Sequence, residues 1–448
     1  MVLQITSVVV WVLLVVSIVV VIRSRGKNFW PTVGASLKSL VSWTLSVALL
    51  TASSLGIYVG VGILQVRQEV DHSQELLDPF YNQYEGTTGE PGELLAKEKI
   101  DGVNLPGATT WRILYRSLGP KGESTIASGM VFVPDTPAEN RMMIGWAHPT
   151  SGLGDSCAPS RTSDHLHDTA NWLGQMMSNG WVVAATDYSG LGTPGISYYL
   201  DGQSESADVA YSVVAAQQID NVNSGKRWAI YGHSQGGHSA LWTAQRANDL
   251  LPDMELVAVA AAAPAAELNH IMEAQWPTVV GWVIGPEVTQ GLPNIYPDMT
   301  LDGVVTPEGQ KDMESFAMDC INTSGILGMA RQGLLDQRFF ASNPAENTAW
   351  FEAMNNQTPR PLLGVPVLVV QSLADQIVLA WPNAVLQEKW CAAGSELDMM
   401  WLGKISHQDT AVTAGPSVVS WLEQRINGIP MIRNCETPAP VSVPIEFQ

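Results

Sequence analysis

Basic side chains are scarce in this sequence. The 448 residues include 23 lysines and arginines against 43 aspartates and glutamates, so the formal net charge at neutral pH is −20. A protein that binds nucleic acid through its phosphates needs a basic face. The charge balance therefore argues against nucleic acid as a partner, and we attribute the acidity to a well-hydrated surface.

Cysteine is also rare, and no two cysteines have the Cys-x-x-Cys spacing that is typical of zinc and redox sites. We therefore predict no metal and no cofactor. Two disulfides are expected if the domain lies outside the cytoplasm, whereas a cytosolic domain would keep four buried thiols. The four cysteines are Cys157, Cys320, Cys391 and Cys435.

Charge is absent from residues 2–22, and this apolar run is long enough to cross a bilayer core of about 30 Å. A second, weaker apolar stretch covers residues 41–64. The connection between them is basic, which places it in the cytoplasm by the positive-inside rule. We expect a two-helix membrane hairpin in residues 1–66, with the rest of the chain periplasmic or extracellular. The alternative is a single anchor or signal, with cleavage near residues 52–54.

The remaining chain divides by composition. Residues 67–110 are polar and rich in turns, and they are interpreted as a linker and the loops that lead into the domain. Strands alternate with helices over residues 111–436, which predicts a mostly parallel sheet flanked by helices. The alternation fails at about 265–355. We expect an inserted, mainly helical cap there, above the carboxyl ends of the strands. Residues 437–448 form a tail.

One stretch points to chemistry. Residues 228–238 read Trp-Ala-Ile-Tyr-Gly-His-Ser-Gln-Gly-Gly-His, an apolar run that ends in Gly-x-Ser-x-Gly and precedes a helix-forming segment. A strand, a tight turn and a helix in this order form a nucleophile elbow. The glycines leave room for the turn, and the serine hydroxyl stands clear at the end of the sheet. Ser234 is therefore the predicted nucleophile.

A serine nucleophile needs a base, and the base needs an orienting acid. In an α/β-hydrolase the acid and then the histidine follow the serine in the chain. His407 follows the last predicted strand through a short loop, whereas His238 lies in the elbow helix and His270 in the cap. Asp375 directly follows the preceding strand. Asp398 and Asp409 lie nearby but out of this order.

The oxyanion of the reaction needs backbone N–H donors. The first is expected from Gln235, at the start of the elbow helix. The second should come from the loop after an early strand, His148-Pro149-Thr150-Ser151-Gly152. Proline has no N–H, so Thr150 or Ser151 is the expected donor. His148 is interpreted as a structural histidine.

These features together resemble the secretory lipase family of the α/β-hydrolases over roughly residues 78–436. The matching pieces are Asp78-Pro79-Phe80-Tyr81, Tyr115-Arg116-Ser117, Cys157-Ala158-Pro159-Ser160, Asp187-Tyr188-Ser189-Gly190-Leu191-Gly192, the elbow, Asp375 and His407. The resemblance implies an α/β-hydrolase sheet with an inserted cap and a Ser234-Asp375-His407 triad that acts on carboxylic esters, often lipids. It also implies the disulfides Cys157–Cys320 and Cys391–Cys435.

Two features depart from the family pattern. The loop that usually reads His-Gly-Thr-Thr-Gly has Pro149 in place of its first glycine, which stiffens it. The long apolar N-terminus suggests an anchored rather than a released protein.

The sequence thus predicts a membrane-anchored esterase or lipase that hydrolyses lipid or acylglycerol esters through an acyl-enzyme. An acyltransferase with the same triad is a close alternative. A non-catalytic lipid-binding protein on the same fold is another, although such a protein should lack a triad member. The Trp and Met residues of 272–354 could line an acyl pocket or form the core of the cap.

Overall fold

The computed structural model describes residues 74–84, 88–162 and 166–447. All the strands and helices named below belong to the compact unit of residues 77–448. The predicted membrane hairpin over residues 1–66 lies outside the described residues. Within the described ranges, no helix has both the length and the apolar character needed to cross a membrane.

A nine-stranded sheet runs through the domain in the order β1-β2-β3-β5-β4-β6-β7-β8-β9. The first three strands and β5 pair antiparallel, and β5, β4, β6, β7, β8 and β9 pair parallel. The mostly parallel sheet predicted from the sequence is therefore confirmed. The strands are β1 (Leu94–Lys99), β2 (Ala108–Leu118), β3 (Ser124–Pro134), β4 (Arg141–Ala147), β5 (Val182–Ser189), β6 (Ser224–His233), β7 (Glu255–Ala262), β8 (Val367–Ser372) and β9 (Leu397–Leu402).

Ten named α-helices follow or connect these strands in the described part of the chain. They are α1 (Leu173–Ser178), α2 (Gly202–Gln217), α3 (Gln235–Leu250), α4 (Leu268–Gln275), α5 (Val279–Gly291), α6 (Pro307–Met318), α7 (Ile321–Leu335), α8 (Thr348–Asn356), α9 (Ala380–Ala392) and α10 (Thr410–Ile426).

Helices cover both faces of the sheet. Successive strand residues point to opposite faces, so Val131 packs in one apolar cluster and Phe132 in the other. Helices α2 and α3 contribute to the first cluster, and α1 and α10 to the second. Every residue of the central strand β4 is buried. This two-sided burial explains why the central strands are continuous apolar runs in the sequence.

The helices α4 to α8 form an insertion between β7 and β8. The insertion has an apolar core of its own, in which Trp282, Phe339, Phe340 and Trp350 are almost completely buried. We call this insertion the cap.

Both disulfides implied by the family resemblance are present, Cys157–Cys320 and Cys391–Cys435. The first connects the loop region after β4 to the start of cap helix α7. The second connects the end of α9 to the C-terminal segment.

One strand lies where the sequence suggested only linker and loops. Strand β1 occupies residues 94–99, within the segment 67–110. It pairs only with β2, and its last three residues, Lys97, Glu98 and Lys99, are exposed. An edge strand of this kind is held by its backbone pairing, so its side chains carry little strand signal.

Candidate active site

The strand β6 ends in a sharp turn at Ser234, and helix α3 begins at the next residue. Ser234 has φ 57° and ψ −117°, a conformation that L-residues rarely adopt. The turn leaves no space for neighbouring side chains. A Cβ at Gly232 would lie 2.0 Å from the Gly236 carbonyl oxygen, and a Cβ at Gly236 would lie 1.9 Å from that of Ala147. The two glycines are therefore required by the turn.

The three predicted triad residues lie in one hydrogen-bonded chain. The Nε2 atom of His407 is 2.8 Å from the Ser234 hydroxyl, and its Nδ1 atom is 2.7 Å from Oδ2 of Asp375. Ser234 follows β6, Asp375 follows β8, and His407 follows β9, so all three lie at the carboxyl edge of the parallel strands. Ser234 is only 7% exposed, so these three hydrogen-bonded residues lie beneath the cap and away from bulk water.

The Asp375 carboxylate is held firmly by its own loop. Its Oδ1 atom accepts hydrogen bonds of 2.9 Å from the backbone N–H groups of Ile377 and Val378. Oδ2 is thereby left to face the imidazole of His407. The other two acids lie elsewhere. Asp398 accepts a hydrogen bond from the Trp421 indole, and the exposed Asp409 binds the hydroxyl of Ser406.

A second histidine lies beside the base. The ring of His233 is 5.0 Å from that of His407, and its Nε2 atom lies 3.0 Å from the His407 carbonyl oxygen. Burial, together with the neighbouring His407, lowers the pKa of His233 from 6.5 to about 4. His233 is therefore neutral at neutral pH and, because a carbonyl can only accept, donates from Nε2. Through this hydrogen bond, His233 holds the loop that carries His407.

The structure separates the predicted oxyanion residues. Gln235 is the first residue of α3, where backbone N–H groups lack partners within the helix. Thr150 lines the cavity that also contains Ser234. The carbonyl of Ser151 accepts a hydrogen bond of 2.9 Å from the N–H of Ile321, the first residue of cap helix α7. Among the described residues, the buried Ser151 hydroxyl has no hydrogen-bond partner.

The loop before Thr150 is fixed by the buried His148. Its Nδ1 atom is 2.6 Å from the Pro149 carbonyl oxygen, and its Nε2 atom is 3.2 Å from the carbonyl oxygen of Asp187. The ring also packs against Tyr188 at 4.6 Å. These contacts agree with the structural role expected for His148 from the sequence.

Sequence reasoning missed the buried Glu205. This carboxylate is 2% exposed and accepts hydrogen bonds from the Gln235 side chain at 2.7 Å, the Leu200 N–H at 2.8 Å and the Ser239 hydroxyl at 2.6 Å. His238 Nδ1 lies 3.4 Å from it. Glu205 thus holds the beginning of the elbow helix. An acid in the first turn of a helix is common, so the position of Glu205 in α2 gave no signal that distinguished it from a surface acid.

An apolar cavity lies between the cap and the elbow. Its walls come from α4, α5 and the loop after Asp375, and Ser234 lies on its surface. Met272, Trp276 and Met354 line it, whereas Trp282 and Trp350 pack inside the cap. Some Trp and Met residues of the cap thus line the cavity and others form the core of the cap, and Met354 belongs to both sets.

The sheet, the strand-turn-helix elbow and the order serine, acid, histidine define an α/β-hydrolase. The sequence model of the Secretory lipase family matches residues 165–434, more than half of the chain. The chain belongs to the secretory lipase family, as its sequence features indicated. It is a carboxylic ester hydrolase.

Known proteins agree with this assignment. Lipase A of Arthroderma benhamiae is 22% identical over 392 residues, which cover 80% of this chain and 81% of the relative. The X-ray structure of Candida antarctica lipase A aligns with a TM-score of 0.66 at 16% identity, over 83% of this chain and 90% of its own. The rice cell wall degrading esterase LipA of Xanthomonas oryzae aligns with a TM-score of 0.63 at 19% identity, over 76% and 100%. These two structures share the fold.

Proposed function

We propose that the protein hydrolyses carboxylic esters with apolar acyl chains, and that Ser234 carries the acyl group between two half-reactions. The observation that carries this proposal is the hydrogen-bonded chain from Ser234 through His407 to Asp375 at the edge of an apolar cavity. A nucleophile, its base and an orienting acid are the parts that serine-dependent acyl transfer requires.

In the first half-reaction, the Ser234 hydroxyl attacks the ester carbonyl carbon while Nε2 of His407 takes its proton. Asp375 fixes the imidazole and stabilises the imidazolium that forms. The carbonyl oxygen becomes an oxyanion, which the backbone N–H of Gln235 and a donor from Thr150 stabilise. The alcohol leaves with the proton from His407. A water molecule, activated by His407, then releases the acid and restores Ser234.

The cavity favours a lipid substrate. Its walls are mostly aliphatic and aromatic, and no charged side chain is among its lining residues in the described part of the chain. Burying an acyl methylene there contributes about 0.8 kcal/mol. We therefore expect esters of longer acyl chains, such as acylglycerols, to be better substrates than acetates. This preference follows from the cavity and does not depend on the alcohol.

The location of the domain follows from its family and its disulfides. Disulfides persist outside the reducing cytoplasm, and the structure contains two. We infer a periplasmic or extracellular catalytic domain. The basic connection in residues 23–38 is compatible with this orientation, and the membrane hairpin over residues 1–66 remains our proposal for how the domain is anchored.

A serine-reactive fluorophosphonate probe tests the proposal directly. We expect the purified protein to be labelled on Ser234, as located by mass spectrometry of its peptides, and we expect a long-chain ester to protect it. Ser406→Ala is the matched control, because this serine adjoins His407 but its hydroxyl binds Asp409. The control should be labelled at the parent rate. Ester hydrolysis that continues after complete labelling, or a label on another residue, would contradict the proposal.

A further inference from the structure

The pairing of strands β4 and β6 brings the segment of Thr150 close to Ser234. Strand β4 ends at Ala147, which pairs with Gly232 at the end of β6. The residues after Ala147 therefore pass directly beside the elbow. Thr150, three residues later, shares the walls of one cavity with Ser234. Thr150 and Ser234 therefore face the same apolar space.

The Thr150 hydroxyl is paired with a buried tyrosine. Oγ1 of Thr150 lies 2.8 Å from the hydroxyl of Tyr199, which is 3% exposed. Burial, and then the charge of Glu287, raise the pKa of Tyr199 well above its ordinary value, so the phenol keeps its proton. A buried hydroxyl proton is costly to leave without an acceptor. Among the described residues, the acceptor that the structure offers is Oγ1 of Thr150.

Either hydroxyl could donate in this pair, and we assign Tyr199 as the donor because this direction gives the buried phenol proton an acceptor. A threonine hydroxyl can accept one hydrogen bond and donate another at the same time. When Tyr199 donates to Thr150, the proton of Thr150 remains free to turn toward the cavity. A hydroxyl that accepts a hydrogen bond is also a stronger donor, because the bonds polarise one another.

We propose that the Thr150 hydroxyl donates a side-chain hydrogen bond to the oxyanion of the acyl-transfer reaction, in addition to the backbone donors, and that Tyr199 orients and polarises it. The proposal rests on the proposed function. As the Ser234 oxygen bonds to the ester carbon, the carbonyl π electrons move to the oxygen, and the Thr150 O–H binds the charge formed there. Thr150 is the catalytic residue in this account, and Tyr199 is a positioning residue.

The segment that carries Tyr199 is itself held in place. The next residue, Leu200, has a positive φ of 58°, and its N–H donates to the buried Glu205 carboxylate at 2.8 Å. The same carboxylate oxygen accepts from the Gln235 side chain at 2.7 Å. One buried group therefore orders both the residue that supports Thr150 and the residue that supplies the elbow N–H. A shared support of this kind suits a site in which the Thr150 hydroxyl and the Gln235 N–H both donate to one oxygen.

The test is a set of variants in the full-length protein. Thr150→Val keeps the shape and removes the hydroxyl, and it should lower kcat by about 10²-fold with little change in KM, as expected for a lost oxyanion donor. Thr150→Ser should retain most of the activity. Tyr199→Phe should lower kcat by about 10-fold, the loss of one ordinary hydrogen bond. The double variant should be no slower than Thr150→Val, because Tyr199 acts through Thr150.

A transition-state analogue separates catalysis from packing. A trifluoromethyl ketone with a long alkyl chain adds to Ser234 and places an oxyanion in the site. Its affinity should fall in Thr150→Val by the same factor as kcat/KM. A Thr150→Val enzyme with parent kcat, or a double variant whose losses multiply, would overturn the inference while Ser234 labelling still supported the hydrolase. Absence of Ser234 labelling in the parent would defeat both.

Discussion

At the scale of single residues, the acid of the triad is distinguished by its surroundings rather than by its charge. Asp375, Asp398 and Asp409 all lie near the last two strands, but only Asp375 contacts His407. Two backbone N–H groups fix its carboxylate, so the oxygen that faces the imidazole is pre-oriented. The chain order of the strands points to Asp375 in the sequence, and its role as the acid remains our proposal.

Replacing the acid by its amide tests this assignment. Asp375→Asn keeps the side-chain shape but no longer fixes the His407 tautomer, so kcat should fall by about 10⁴-fold. Asp398→Asn and Asp409→Asn are the matched controls, and both should stay near the parent. Steady-state hydrolysis of one chromogenic ester is sufficient. If Asp409→Asn were the crippling change, the acid assignment would be wrong even with Ser234 and His407 in place.

At the scale of elements, the elbow turn requires glycine at two positions for steric reasons, and both glycines are visible in the sequence. Gly232 and Gly236 are glycines because the end of β4 and the start of α3 approach one another within contact distance. Backbone hydrogen bonds stabilise the strained conformation of Ser234. Its N–H donates to the Ala262 carbonyl, and its own carbonyl accepts from the His238 N–H. The turn is therefore rigid before any substrate binds.

A methyl group added at Gly236 should destabilise the folded protein. In Gly236→Ala the new Cβ would lie 1.9 Å from the Ala147 carbonyl oxygen, so we expect a loss of several kcal/mol in the free energy of unfolding, beyond ordinary overpacking costs of about 1–3 kcal/mol. Gly174→Ala in helix α1 is the control, because nothing lies within 4 Å of its Cβ. That variant should be neutral or more stable by up to about 1 kcal/mol. Thermal unfolding measures both, and equal melting temperatures would contradict the steric account.

Strands that are buried on both faces of the sheet could be predicted from the sequence. A strand that is held only by its backbone pairing at the edge of the sheet could not. The central strands were found because each is a continuous apolar run. Strand β1 was missed because it lies at an edge of the sheet and half of its side chains are charged. Glu205 was missed because its partners come from distant parts of the chain.

At the scale of the whole molecule, the cap and the oxyanion loop form one connected structure. The Leu153 N–H donates to Ala317, the Ile321 N–H donates to Ser151, and the Cys157–Cys320 disulfide joins the same two segments. Gly152 and Gly154 permit this close approach, since a Cβ at either would meet a backbone oxygen at 2.4 Å or less. The cap therefore supports the loop that carries Thr150 as well as enclosing the cavity. The family resemblance implied the disulfide, but the sequence could not show the backbone hydrogen bonds.

The central claim is that Ser234 is the nucleophile of an ester hydrolase, and the most direct measurement is the kcat of Ser234→Ala. Alanine fits the same turn and leaves no large cavity, so the melting temperature should match that of the parent. Removal of a serine nucleophile typically lowers kcat by about 10⁶-fold. We expect a loss of this size for a long-chain ester. A folded Ser234→Ala protein, free of contaminating esterase, that hydrolyses the ester at close to the parent rate would contradict it.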